Sequence, residues 1–247
     1  MNVSVSSFRF AGALMLASGL STICVAQSSP YRTRVTVTQL KPDMINEWVD
    51  LQKTEVVPAL KKAGVKTRNV LSSGIFGRTG EYVVSQPFGN TAEFDGQSPL
   101  VKALDPPGAA RLTAKLAKCI VSQYSYMNTR LEDISNVLST PPEVIIAVRY
   151  RIAPGKLQEF RDLVKSDILP VYKRAKVQLT VNQRGPGANA TDVSMVTGYA
   201  KYADMNGGPF LTQQLGQDAA AKINAKFTGI RTQIEVVVRH RVDDLSF

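Results

Sequence analysis

Histidine, cysteine and tryptophan are scarce in this chain of 247 residues, which contains one histidine, two cysteines and one tryptophan. The single histidine, His240, cannot build a zinc site alone, and no spaced set of His, Cys and carboxylate residues accompanies it. No Gly-x-Ser-x-Gly elbow, Walker motif or dinucleotide fingerprint occurs either. These absences disfavour hydrolytic and nucleotide-dependent functions, and we expect no bound metal and no cofactor.

The start of the chain lacks a hydrophobic run that is long enough to span a bilayer. Its apolar stretch, Phe10 to Leu20, has about 11 residues, whereas a transmembrane helix needs roughly 20. Arg9 precedes this stretch and a small-residue site ending at Ala26 follows it, which is typical of a secretory signal peptide. We therefore expect removal of residues 1–26 and a secreted or periplasmic protein without stable membrane insertion. A lipid anchor on Cys24 is the alternative.

Removal of residues 1–26 leaves Cys119 as the only cysteine, so no disulfide can form within the chain. A protein of about 220 residues buries enough surface to fold without one. The remaining chain has 29 basic and 20 acidic residues, because Arg9 is lost from the 30 basic residues. These positive charges are scattered rather than grouped with aromatic residues, so we expect no nucleic-acid partner.

One element occurs twice in the sequence. Lys41–Val65 aligns without a gap to Ala153–Val177 at an offset of 112, and 9 of the 25 positions are identical. In both copies apolar residues recur at the three-to-four spacing of one helical face, which predicts an amphipathic helix. Pro58 and Pro170 fall inside this pattern, so each helix is predicted to kink or restart there.

The order of the predicted elements is the same on both sides of the chain centre. Residues 31–139 and 142–247 each give strand, helix, strand, strand, helix, strand, which is the arrangement of ferredoxin-like domains. The second helix of the first half is predicted at about Ala109–Lys118, and the alternative is a start near Pro99 with a break at the Asp-Pro-Pro-Gly sequence of residues 105–108. Its counterpart in the second half is predicted as one helix at about Phe210–Phe227. Each half also ends in a related motif, Arg130–Ser135 and Arg241–Ser246, at an offset of 111. The sequence therefore predicts an α+β protein with two tandem ferredoxin-like repeats.

A ferredoxin-like half covers one face of its antiparallel sheet with two helices and leaves the other face open. Soluble proteins avoid so large an exposed apolar patch, and the second half of the same chain is the available partner. We therefore expect the two sheets to pair within one chain, so that the protein is a monomer. The closing motifs are expected to reach across onto the opposite half.

The residues at the start of the second half suggest a family. RYRIAPGKLQEF, from Arg149 to Phe160, followed by ILPVYKRA, resembles the opening of NIPSNAP-like domains. The layout of both halves is similar to the dimeric α/β-barrel superfamily, which also contains the antibiotic-biosynthesis-type monooxygenases. This resemblance implies an intramolecular dimeric α/β barrel and a pocket between sheet and helices. It does not imply a particular reaction.

Two tyrosines, Tyr124 and Tyr126, alternate on one face of the last strand of the first half, whereas their aligned partners in the second half are Glu235 and Val237. This asymmetry allows one half to keep a binding site, although core packing alone also explains the tyrosines. His240 lies between two arginines, so we expect a solvated side chain, with haem ligation as the alternative. The candidate ligand-binding residues are Trp48, Tyr82, Tyr124 and Tyr126.

Two functions from different classes are consistent with this sequence. The first is a non-catalytic exported protein that binds a small apolar ligand or an envelope partner. The second is a cofactor-independent oxygenase or isomerase that acts on a small lipophilic or aromatic substrate. Oxygen consumption with phenols or quinones would separate the two functions, and the most useful structural observation would be whether either half contains an open cavity of ligand size.

Overall fold

Eight β-strands and seven α-helices alternate along residues 30–247, the part of the chain that the computed structural model describes. The predicted signal peptide, residues 1–26, lies outside this range. The first half contains β1 (Arg32–Leu40), α1 (Ile45–Leu51), α2 (Val57–Lys62), β2 (Asn69–Ser72), β3 (Glu81–Phe88), α3 (Pro99–Cys119) and β4 (Ile120–Arg130). The second half contains β5 (Val144–Ile152), α4 (Leu157–Leu163), α5 (Leu169–Ala175), β6 (Leu179–Arg184), β7 (Asp192–Tyr199), α6 (Phe210–Leu215), α7 (Gln217–Ala225) and β8 (Arg231–Arg241).

The repeated helix restarts at its proline, as predicted, but through a widened turn rather than a break. A π-helical turn joins α1 to α2 at Gln52–Val56, and a second one joins α4 to α5 at Val164–Ile168. Proline lacks an amide donor and crowds the carbonyl four residues earlier, and a π-helical turn absorbs this mismatch without unwinding the helix. Pro58 and Pro170 therefore stand at the start of α2 and α5.

The second helical element of each half is interrupted at an equivalent position. In α3 the backbone leaves the helical region at Asp105, which has a φ of 64°, where the Asp-Pro-Pro-Gly sequence predicted a break. In the second half Gly216, with a φ of 81°, separates α6 from α7. The predicted single helix from Phe210 to Phe227 is therefore wrong, because glycine adopts this left-handed backbone without strain.

All eight strands form one closed antiparallel barrel in the order β1-β3-β2-β8-β5-β7-β6-β4. The first half contributes four neighbouring strands and the second half contributes the other four. The two four-stranded sheets join edge to edge where β2 pairs with β8 and where β4 pairs with β6. The predicted fold class, two ferredoxin-like repeats that form an intramolecular α/β barrel, is confirmed.

The closing motifs seal both junctions by reaching onto the opposite half. The Leu131 amide donates to the Val181 carbonyl at 2.8 Å, and the Val242 amide donates to the Val70 carbonyl at 2.8 Å. The Ser135 hydroxyl accepts a hydrogen bond from the Val181 amide at 3.0 Å, and Ser246 does the same for Val70. Each junction therefore carries the same pattern of hydrogen bonds, related by the repeat.

Helices cover the outside of the barrel, and the strongest apolar packing lies between helices and strands. In the first half Trp48 packs with Leu40 and Val70, and in the second half Phe160 packs with Val181 and Phe227. Burying each such side chain contributes about 1.5–3 kcal/mol to stability. Within residues 30–247, no helix is both long enough and apolar enough to cross a bilayer.

Candidate functional site

The barrel encloses a cavity of about 570 Å³, called here the lumen. Side chains alternate along a strand between two faces, so one set of residues from every strand points into the barrel and the other set points towards the helices. On β1 the inward set includes Thr33, Val35 and Val37, and on β4 it includes Tyr124 and Tyr126. The lumen therefore receives side chains from both halves of the chain.

An apolar waist surrounds the middle of the lumen. Its buried members come from five strands and form one cluster, which consists of Val35, Val37, Leu71, Val83, Tyr126 and Ile145. Ala147 and Val196 pack against this cluster from the second half. The waist provides an apolar lining for a ligand, and it also holds the two sheets together.

Arginines from both halves border the lumen, and most of them have carboxylate partners. Arg149 contacts Asp192 at 3.2 Å and Glu235 at 3.3 Å, and Arg239 contacts Glu81 at 2.6 Å. Towards the ends of the closing strands, Arg130 pairs with Glu132 and Arg241 pairs with Asp243. These pairs compensate charge that would otherwise be expensive to hold away from bulk water.

Arg184, at the end of β6, differs from these arginines. Its guanidinium carbon lies 4.5 Å from the centroid of the Tyr126 ring, so the two groups stack. Its Nε is buried without a hydrogen-bond partner, as are the Nε atoms of Arg149, Arg239 and Arg241 and Oδ1 of Asn128, the residue opposite Arg184 on β4. Within the described part of the chain, no carboxylate lies within 4 Å of Arg184.

Tyr126 stays protonated in this environment. Burial raises the pKa of its phenol, and the nearby Arg184, Arg239 and Arg149 offset this effect only in part. A protonated hydroxyl can donate a hydrogen bond, and no described residue accepts one from Tyr126. The neighbouring Tyr124 ring stacks at a centroid distance of 6.1 Å and is 53% exposed, so it lies where the lumen opens to solvent.

The two halves line the lumen differently at equivalent positions. In the first half Val37 pairs with Tyr124 across β1 and β4, and at the equivalent place in the second half Arg149 pairs with Glu235 across β5 and β8. One wall of the lumen is therefore apolar and aromatic, whereas the opposite wall carries an ion pair. The sequence difference between Tyr124 and its counterpart Glu235 therefore places different side chains on two opposite walls of the lumen.

The four candidate residues from the sequence do not form one site. Trp48 and Tyr82 lie on the helix-covered face of the sheet, with ring centroids 4.7 Å apart, and Trp48 is buried in the core there. Tyr124 and Tyr126 lie on the opposite face and line the lumen. The structure therefore places the two pairs on opposite sides of the sheet, and only the second pair borders a cavity.

The residues with the most reactive side chains lie away from the lumen. His240 is exposed on the outer face of β8, where its Nδ1 lies 3.0 Å from the Ser72 hydroxyl. Cys119 is buried behind the sheet, and burial raises the pKa of its thiol. No group of three or more His, Cys, Asp and Glu side chains within residues 30–247 has the arrangement of a metal site.

Arg68 is a buried arginine at the edge of the lumen, and its guanidinium is held between the helices and the closing motif of the second half. Its guanidinium donates to Oε1 of Gln52 at 2.6 Å and to the Leu245 carbonyl at 3.1 Å, and burial lowers its pKa to about 10. At the equivalent place in the second half two apolar residues, Val164 and Leu179, are fully buried. Arg68 thus anchors the closing motif of the second half to the π-helical turn of the first.

A second, more open groove of about 800 Å³ lies outside the barrel. It runs between the end of α2 and the connection from β3 to α3, and Val65, Phe88 and Phe94 contribute apolar surface. Arg34 lies over the Phe94 ring at 5.8 Å. Few polar groups converge on this groove, so it offers less basis for specific recognition than the lumen.

Comparison with known proteins gives matches among solved structures only, since no protein-family model and no curated protein matches the chain. An anthrone oxidase-like protein matches with a TM-score of 0.57 at 9% identity, covering 86% of this chain and 92% of that one. A mutant chlorite dismutase from Candidatus Nitrospira defluvii matches with a TM-score of 0.54 at 10% identity, covering 89% and 95%.

A dye-decolorizing peroxidase from Bacteroides thetaiotaomicron matches with a TM-score of 0.50 at 10% identity, covering 88% of this chain and 94% of that one. Identities this low establish a shared fold and do not transfer an activity. The narrower resemblance to NIPSNAP-like domains remains a sequence-based prediction. The chain has the dimeric α/β-barrel fold of these structures, with both halves of the barrel supplied by one polypeptide.

Proposed function

We propose that this protein binds a small molecule with an apolar body in the lumen of its barrel. The observation that carries the proposal is the lumen itself, which combines a volume of about 570 Å³ with an apolar waist and a few convergent polar groups. Ligand sites commonly have volumes of about 300–1,000 Å³ and this combination of linings. An eight-stranded barrel is also wide enough to hold one small ligand.

The side chains of the lumen favour binding over catalysis. Tyr126 is kept neutral by burial, so it is a poor general base at neutral pH. Glu81 and Glu235 each contact an arginine, and the only histidine lies on the outside of the barrel. The described residues therefore supply donors and apolar contacts to a ligand, but they bring no nucleophile together with an activating base.

A cofactor-independent oxygenase or isomerase is the second candidate. It is favoured by the likeness in fold to an anthrone oxidase-like protein, at only 9% identity. Oxygen uptake with phenols, anthrones or quinones distinguishes the two candidates. Oxygen-dependent turnover of one of these compounds that is lost when a larger side chain fills the lumen would favour the enzyme. Saturable binding of the compound without turnover would favour the binding protein.

The binding proposal can be tested with N-phenyl-1-naphthylamine, an uncharged dye that fluoresces more strongly in apolar surroundings. Ala147→Trp should fill the waist and weaken dye binding at least ten-fold, since Ala147 packs against the waist cluster. Phe94→Ala, which removes apolar surface from the outer groove, should leave binding unchanged. The opposite pattern would move the site to the groove, and circular dichroism would show whether both variants fold.

We also propose that the protein is exported and acts as a monomer. It binds either a small apolar ligand or a partner in the cell envelope. The signal-peptide pattern of residues 1–26 supports export. Mass spectrometry should find a mature chain that begins at Gln27, whereas a lipoprotein would begin at a lipid-modified Cys24. Sedimentation at low concentration should give the mass of one chain. Retention of residues 1–26 would contradict export, and a dimer that persists on dilution would contradict the monomer.

A further inference from the structure

The geometry points to an amphipathic organic acid as the ligand, and we propose that Arg184 binds its anionic group while its apolar part lies along Tyr124, Tyr126 and the waist. This inference rests on the proposed binding in the lumen and adds the chemical class of the ligand. A carboxylate or a sulfonate fits the same donors. The observations that carry it are the charge balance, the stacking of Arg184 and the position of the aromatic wall.

Charge balance and exposure together distinguish Arg184 from the other arginines that line the lumen. Arg130, Arg149, Arg239 and Arg241 all have a carboxylate within 4 Å. Arg68 and Arg78 have none, but Arg68 already donates to Gln52 and to the Leu245 carbonyl, and Arg78 is exposed to solvent. Arg184 has none among the described residues, although it lines the cavity and is half-buried. A partly buried guanidinium without a counterion attracts an anion from solution, because the ion pair is stronger there than in water.

The position of Arg184 over the Tyr126 ring prepares it for such an anion. A cation–π contact uses none of the N–H donors of the guanidinium, and a pair of these donors matches the two oxygens of a carboxylate. The Tyr126 hydroxyl is protonated and has no acceptor among the described residues, so it is a further donor beside the guanidinium. Both groups are therefore pre-positioned before a ligand arrives.

The aromatic wall continues from this point towards solvent. Tyr126 pairs with Val35 and Tyr124 pairs with Val37 across β1 and β4, so the four side chains form one strip of apolar surface. The strip begins beside Arg184 and ends at the exposed ring of Tyr124. A molecule with an acidic group at one end and a hydrocarbon or aromatic body would contact the guanidinium and the strip together.

Two matched dyes test this inference on the full-length protein. 8-Anilinonaphthalene-1-sulfonate has the aromatic skeleton of N-phenyl-1-naphthylamine and adds one sulfonate. The wild type should bind the anionic dye at least ten-fold more tightly, and Arg184→Gln should remove this preference while the neutral dye still binds. Arg174→Gln is the matched control, because Arg174 is exposed on α5 and outside the lumen. Tyr126→Phe, which keeps the ring, should weaken the anionic dye by a few-fold only.

The outcomes separate the inference from the proposed function. Equal affinity of the wild type for both dyes, or an unchanged preference in Arg184→Gln, would overturn the anionic class and leave lumen binding intact. Failure of both dyes to bind, or binding that is insensitive to Ala147→Trp, would overturn the proposed function. If Arg184→Gln does not fold, thermal unfolding of the wild type decides between the outcomes. Decanoate should raise Tm more than decanol does at the same concentration, and an equal rise with both would contradict the inference.

Discussion

Nη2 of Arg239 lies 2.6 Å from Oε1 of Glu81, and this contact joins β8 of the second half to β3 of the first beyond the end of β2. Both side chains are largely buried, with 13% and 11% exposure. We expect Arg239→Met to destabilise the fold by about 3 kcal/mol, because the Glu81 carboxylate would be left buried without its partner. The free energy of unfolding in urea measures this change.

A double variant shows whether the loss arises from the orphaned charge. Adding Glu81→Met to Arg239→Met should recover part of the lost stability, since two apolar side chains replace a buried ion pair with little net loss. If the stability lost in the double variant equals the sum of the losses in the two single variants, the two residues do not act as a pair.

Asp192 makes the stability of the fold depend on pH. Burial disfavours its charged form, but hydrogen bonds from Arg151 at 2.8 Å and Arg149 at 3.2 Å outweigh burial and hold the Asp192 pKa below its ordinary value. A carboxylate with a lowered pKa in the folded state contributes stability above its unfolded pKa of about 3.9, and this contribution is lost as the pH falls through the folded pKa.

Asp192→Asn should therefore be less stable than the wild type at pH 7, and the difference should shrink as the pH falls below about 4. Urea unfolding at a series of pH values measures both quantities. Asp95→Asn, at an exposed position between β3 and α3, is the control and should track the wild type throughout. A difference between Asp192→Asn and the wild type that stays constant down to pH 2.5 would refute the assignment.

Gly187 allows the hairpin between β6 and β7 to pack closely against β4. It has a φ of +89°, and a Cβ added to it would come within 2.3 Å of the Ser125 carbonyl oxygen. Gly155 also has a positive φ, of +73°, but a Cβ there would meet nothing within 4 Å. Gly155→Ala should cost about 1 kcal/mol of stability, and Gly187→Ala should cost at least about 1 kcal/mol more. Thermal unfolding compares the two, and equal losses would show that the hairpin moves freely.

Arg68 and Gln52 can be replaced by the apolar pair that the second half uses. The double change Gln52→Val and Arg68→Leu should leave the free energy of unfolding within about 1 kcal/mol of the wild type or raise it, because well-packed apolar groups can replace buried polar ones. Arg68→Leu alone should destabilise, since it leaves Gln52 buried without its donor. A double variant less stable than the single one would contradict this expectation.

The fold could be predicted from the sequence because the evidence for it is local and occurs twice. The repeat fixed two copies of one helix, and the strands on either side followed from short apolar segments between turns. The break at Gly216 was missed because a single glycine inside an amphipathic pattern does not by itself reveal a positive φ. The π-helical turns were missed as well, because one extra residue in a helical turn barely changes the apolar spacing.

The site could be predicted only in part, because both faces of each sheet are covered. Alternation in a strand shows which residues share a face, but it does not tell the helix side from the lumen side when apolar residues occupy both. Tyr82 was therefore grouped with Tyr124, although they point to opposite sides. Arg184 appeared as one scattered charge, and its role depends on the pairing of β6 with β4, a contact between the two halves.

The π-helical turns of the two copies lie at the same offset as the rest of the repeat, Gln52–Val56 and Val164–Ile168, so the two halves share a backbone irregularity as well as a sequence pattern. A barrel built from two identical halves would repeat every lumen residue across a twofold axis. The two halves of this chain are free of that constraint because their sequences differ. Val37 and Tyr124 lie on one wall and Arg149 and Glu235 on the other, so the lumen can contact two different sides of an asymmetric molecule.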